Sequence, residues 1–232
     1  MKTIMLLLAL GATQVGFAAK DVVVHPAPKE PLFLRASWYP TLKAQVGAPP
    51  KANSPEQKKD EEALRNYQKT RGTEDCQRAQ SEVFVSLENF FGKPRGPLES
   101  ATVKPLSDFF EQIRNDGDYF VQKLKKEFPR KRPFLYVKGI EPCVPKEVTD
   151  AYPSGHAVLS RLYALVLTDF FPEQRAAIEK RADQIAEDRI LAGMHHPTDI
   201  ATGRIIGEKI YAELQKSEKY QAELKRRKAG AL

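Results

Sequence analysis

From about residue 155 to 170 the chain is apolar nearly all round a helix, with Ala157, Val158, Leu159, Leu162, Leu165, Val166 and Leu167 leaving no polar face. A helix of that kind is stable only in the middle of a bundle. The remaining sequence must therefore supply helices to surround it, and the candidates are legible. Ser54 reads as an N-cap, with Pro55 at the first helical position and Gln57 closing a capping box. A second helix is predicted over 74–91, capped by Thr73, with Val83, Leu87, Phe90 and Phe91 on one face. A third starts at a Ser107 cap and carries Phe109, Phe110, Ile113, Phe120, Val121 and Leu124. After the central helix, one runs from Pro172 to about Ala192, where Gly193 ends it, and a last one starts at Pro197 and passes Ile200, Ile205, Ile206, Ile210 and Leu214. No alternating run marks a strand. The fold class is all-α, a compact helical bundle around the central helix.

The flanks differ from this body. Met1-Lys2, an apolar run from Ile4 to Phe17 and small residues at Gly16 and Ala18 read as a signal peptide over 1–18. Residues 19–55 hold seven of the 17 prolines, and 19–53 is expected to be an extended arm, pinned by Leu32, Phe33, Leu34, Trp38 and Tyr39. The helical domain then spans 54–216, and 217–232 is a charged tail expected to fray. No later run is long and apolar enough to span a bilayer, so the mature protein is expected in a periplasm or outside the cell. Removing 1–18 deletes Lys2 alone and takes the net charge from +7 to +6, which favours anionic partners without naming one. Cys76 and Cys143, an even count in an exported chain, suit a disulfide.

The chemistry gathers at helix ends. Ser154, Gly155 and His156 open the central helix, where first-turn N–H groups lack intrahelical acceptors and the dipole favours an anion. Gly155 admits close approach to the backbone, so the turn is a seat for an oxyanion. Only four histidines exist: His25 in the arm, His156, and the pair His195-His196. Lys125 precedes Arg132 by seven residues, Arg189 precedes His195 by six, and Asp199 follows His195 by four.

Those positions resemble the signature of the type 2 phosphatidic acid phosphatase and vanadium haloperoxidase superfamily. The first piece is Lys125, "KEFPRK", Arg132 and Pro133; the second is Pro153 to His156; the third is Asp188, Arg189, "ILAGM", His195, "HPT" and Asp199. Within it the chain is similar to the class A bacterial non-specific acid phosphatases over about residues 31–215, including "CQRAQSEVFVSLENFFGKPRGPL" and "GRIIGEKIYAELQ". One position departs: Asp188 stands where Ser is usual. Successive helical residues project about 100° apart, so Asp188 is expected to turn from the phosphate and orient a basic side chain.

The resemblance implies a metal-independent acid phosphatase that hydrolyses phosphate monoesters and needs no cofactor. Lys125, Arg132 and Arg189 surround the phosphoryl group with Ser154 and the Gly155 N–H; His195 is the nucleophile, oriented by Asp199; His156 protonates the leaving group. Such roles make physical sense, because fixed donors stabilise charge spread over the equatorial oxygens. His156 charged and His195 neutral predict a bell-shaped pH profile with an acidic optimum. His196 has no assigned role. The same pocket would serve a vanadate-dependent haloperoxidase, usually a larger protein, or a lipid-phosphate phosphatase, normally a multi-spanning one. Outside the enzymes, a basic anion-binding module would use the Lys/Arg clusters. The expected partners are small phosphate monoesters instead of nucleic acid, and apolar side chains on the arm leave a homodimer open.

Overall fold

The computed structural model describes residues 27–230. The expected signal peptide, and the start of the arm with His25 and Pro26, lie outside the described residues. Ten α-helices follow in order: α1 Tyr39–Gln45, α2 Pro55–Thr70, α3 Thr73–Ser81, α4 Leu87–Phe91, α5 Ser100–Val103, α6 Ser107–Glu127, α7 Gly155–Phe170, α8 Arg175–Leu191, α9 Pro197–Leu214 and α10 Glu218–Gly230. The pairing between described residues that comes nearest to a sheet is an isolated bridge, Gly92 with Leu98. The all-α expectation holds.

Helix α7 is the centre, with 11 of its 16 residues buried, and α6, α8 and α9 wrap it. The approach of α9 depends on two glycines one turn apart. A Cβ at Gly203 would lie 2.8 Å from the Ala157 Cβ and 2.9 Å from the Ser154 carbonyl, and one at Gly207 would lie 2.7 Å from the Val158 carbonyl. The two helices therefore touch nearly backbone to backbone, and their N-termini lie together: the Ser154 N–H donates to the Asp199 carbonyl at 3.2 Å. On the α6 side, Tyr163 meets Phe110 edge-on at 4.9 Å between centroids and donates its hydroxyl to the Phe110 carbonyl.

Several elements depart from expectation. The stretch 74–91 is two helices, because the chain leaves the helix at Glu82 and restarts with Ser86 as the α4 cap, its Oγ accepting from the Asn89 N–H at 3.0 Å. The β-branched Val83 and Val85 disfavour helix there. Thr73 is the first residue of α3, not its cap; the Asp75 carboxylate accepts from the Gly72 N–H instead. Ser107 caps nothing either, since α5 and a 3-10 turn at Lys104–Leu106 lead straight into α6. Ser54 does cap α2, while the Gln57 side chain turns inward to Arg130 and Tyr136 and closes no box.

The arm is not fully extended, since it contains α1. Its anchor is the buried Asp116 of α6, whose carboxylate accepts from the N–H groups of Leu32, Phe33 and Leu34 at 2.6, 2.8 and 2.9 Å. Phe33, Leu34, Trp38 and Tyr39 pack on the core, whereas Leu32 is 39 % exposed. The charged tail is no frayed end: α10 buries Tyr220 and Leu224, and Tyr220 lies 5.8 Å from Phe33 and 5.9 Å from Phe109. Among the described residues no helix is long and apolar enough to cross a membrane.

Candidate active site

Three cations converge from three elements. Lys125 ends α6, Arg132 lies in the loop beyond it, and Arg189 is in the last turn of α8; all are buried. They meet at Glu147, which lies in the connection to α7. Its carboxylate pairs with the Arg132 Nη2 at 2.6 Å and the Arg189 Nη2 at 2.9 Å. Arg132 is further fixed by the Thr149 carbonyl at 2.8 Å and hydroxyl at 3.0 Å, and by the Met194 carbonyl at 3.2 Å. Lys125 donates to the Asp150 carbonyl. Burial, with the Arg132 charge beside it, brings the Lys125 ammonium down to about 7. The Nε and Nη1 of Arg189 are buried and have no hydrogen-bond partner among the described residues. Buried donors of a cation are costly to leave unmade, so these two mark a place that suits further acceptors.

The histidines border the same point. At the end of α8 the chain turns back through Gly193, whose φ of +76° suits glycine, and the N–H groups of Met194 and His195 return to the Arg189 carbonyl at 3.0 and 3.2 Å. The His195 Nε2 lies 3.0 Å from the Arg132 Nη1. A guanidinium only donates, so Nε2 carries the lone pair and Nδ1 the hydrogen. Burial, then the Arg132 charge, lowers His195 to about 3. His156, in the first turn of α7, places its Nε2 3.0 Å from the Glu82 carbonyl. A carbonyl only accepts, which puts hydrogen on that nitrogen and leaves Nδ1 as the basic one. Burial and the nearby Arg189 charge hold His156 well below the ordinary imidazole range. Both imidazoles and both arginines act on the Glu147 carboxylate, and together they outweigh its burial and hold it well below the usual range.

At the helix start itself, the Ser154 Oγ accepts from the Ala157 N–H at 3.4 Å. A Cβ on Gly155 would meet only Val121, at 3.7 Å, an ordinary contact. Internal packing therefore does not demand glycine at 155, in contrast to Gly203 and Gly207.

A family model described as the PAP2 superfamily matches residues 117–214, the span holding Lys125, Arg132, Ser154, Gly155, His156, Arg189, His195 and Asp199. The chain is 27 % identical over 187 residues to a non-specific acid phosphatase of Salmonella typhimurium, covering 76 % of this chain and 74 % of that protein. It is 27 % identical over 171 residues to a non-specific acid phosphatase of Providencia stuartii, covering 71 % and 68 %. Its fold resembles the crystal structure of a transmembrane PAP2 type phosphatidylglycerolphosphate phosphatase from Bacillus subtilis, with a TM-score of 0.53 at 15 % identity, over 78 % of this chain and 92 % of the other.

Around these motif residues lie Arg130, Tyr136, Asp60, Arg78, Glu82 and Arg181, which the sequence reading did not single out. Asp199 is within 3.5 Å of the His195 Nδ1, but its hydrogen bonds go to the His196 ring at 2.9 Å, the His196 N–H at 2.8 Å and the Arg130 Nη1 at 2.5 Å. It caps α9 from the third helical position, which draws the carboxylate to residue 196 more closely than to 195. Burial pushes Asp199 up, and the two imidazoles and Arg130 more than reverse that, so it stays ionised. His196 thus has a place: its Nε2 meets the Tyr136 hydroxyl at 2.8 Å. Arg130 also pairs with Asp60 at 2.8 Å. Asp188 does face away from the cationic cluster and takes Arg78 in a two-pronged bond at 2.7 and 2.6 Å. Glu82, whose carbonyl holds His156, pairs through its carboxylate with Arg181 at 2.7 Å.

One of these was findable. Gln57, Asp60 and Leu64 share the buried face of α2, and two polar residues on an apolar stripe signal a buried partner. Glu147 and Arg130 carry no such pattern. The two cysteines are joined, Cys76 to Cys143, which ties α3 to the segment leading into Glu147. Outside Arg132 and Glu147 a cavity of about 340 Å³ opens between Phe134, Leu135, Lys146 and Val148.

Proposed function

We propose that the protein is an exported acid phosphatase that hydrolyses phosphate monoesters through a phosphohistidine on His195, without a metal. The observation that carries this reading is the convergence of Lys125, Arg132 and Arg189 with both His156 and His195 on one buried point occupied by a carboxylate. The similarity to non-specific acid phosphatases over most of the chain supports the reaction class. Guanidinium forks match pairs of phosphoryl oxygens, and Lys125 adds a point charge. In the reaction, the His195 Nε2 lone pair forms a bond to phosphorus as the bond to the ester oxygen breaks. The departing electron pair goes to that oxygen, which takes a proton from His156. A water then attacks phosphorus, gives its proton to His156, and the P–N bond breaks to return His195 and free phosphate. Asp199 acts on His195 at longer range and on His196 directly, holding the turn and the Nδ1–H tautomer.

A His195→Ala chain should lose p-nitrophenyl phosphate hydrolysis by about 10³-fold or more, and wild-type activity should survive excess chelator. Full activity in the variant, or its loss from wild type with chelator, would sink the reading. Export rests on the N-terminal apolar run and the paired cysteines; N-terminal sequencing of protein from the periplasmic or culture fraction tests it, and an uncleaved Met1 refutes it.

A further inference from the structure

Glu147 holds the two arginines that the proposed function assigns to the phosphoryl group. Its oxygens take one guanidinium each, at 2.6 and 2.9 Å, in a buried position that His156 and His195 also border. A carboxylate supplies two oxygens, and a tetrahedral oxyanion supplies more. Among the described residues the Arg189 Nε and Nη1 have no acceptor, so Glu147 fills the seat only in part. The segment around it is held by the same cations, through the Thr149 carbonyl and hydroxyl on Arg132 and the Asp150 carbonyl on Lys125. Its next residue, Val148, is 70 % exposed at the rim of the adjoining cavity.

We propose that the Glu147 carboxylate is a built-in competitor that occupies the phosphoryl seat, and that it leaves with the segment Lys146–Asp150 when phosphate or an ester binds. This rests on the reading of the site as a phosphoryl seat. The alternative role, a brace that keeps the arginines in position for phosphate, has the opposite consequence, because removing a brace weakens binding. A competitor taxes affinity by the fraction of molecules in which it is displaced.

Inorganic phosphate is titrated calorimetrically into wild type and Glu147→Gln. The variant is expected to bind phosphate about tenfold or more tightly, as for a displaced state populated at about one in ten. Equal or weaker binding overturns the competitor role. Should the variant fail to fold, hydrogen exchange on wild type decides alone: saturating phosphate should speed exchange of the amides of residues 146–150, and unchanged or slower exchange there overturns the proposal. Wild type that neither binds phosphate nor releases it from p-nitrophenyl phosphate fails at the earlier step, the phosphoryl seat itself.

Discussion

The proposed mechanism makes opposite demands on His156 and His195 in nearly the same surroundings. Burial and a neighbouring guanidinium depress both, so both are neutral in this arrangement at neutral pH. Neutrality suits a nucleophile, and His195, down to about 3, keeps its lone pair far into acid. In the proposed role of leaving-group acid His156 needs a proton, and the negative charge of a bound ester would raise its pKa. The rate constant kcat reports the complex, whereas kcat/KM reports the free enzyme. The alkaline limb of kcat should therefore lie at higher pH than that of kcat/KM, once the ester's own second ionisation is divided out. Coincident limbs would contradict the role of His156. At this scale the motif residues could be read from spacing because each lies at or near a helix end. Glu147 and Arg130 could not, since their roles exist only once distant segments touch.

Helices were legible where caps and periodicity agreed, as in α7, α8 and α9. Two readings failed for local reasons. Over 74–91 the apolar spacing continued through a break that the backbone needs, since leaving the helix at Glu82 is what offers its carbonyl to His156. In α10 a surface of Lys, Arg and Glu obscured two inward positions four residues apart, Tyr220 and Leu224. A frayed tail would tolerate any change there. Because Tyr220 is fully buried between Phe33 and Phe109, Tyr220→Ala should cost about 3 kcal/mol, read from the urea midpoint at unchanged slope. A change within about 0.5 kcal/mol would mean that the helix does not dock.

Across the whole molecule, the bundle brings the N-termini of α7 and α9 together, and the disulfide anchors the segment that reaches over them. Cys76 and Cys143 are 67 residues apart, and a crosslink of that span stabilises by about 4 kcal/mol in the chain-entropy account. Cys76→Ser should therefore lower the thermal midpoint by many degrees, and reductant should lower the wild-type midpoint toward the variant's. A variant as stable as wild type would show that the bridge constrains nothing. The most direct test of the account is the covalent intermediate. Wild-type protein mixed with excess p-nitrophenyl phosphate, quenched in alkali within the first turnovers and mapped by mass spectrometry, should carry phosphate on His195 and on no other residue. Phosphate found elsewhere, or a burst of p-nitrophenol with His195 unmodified, would contradict it.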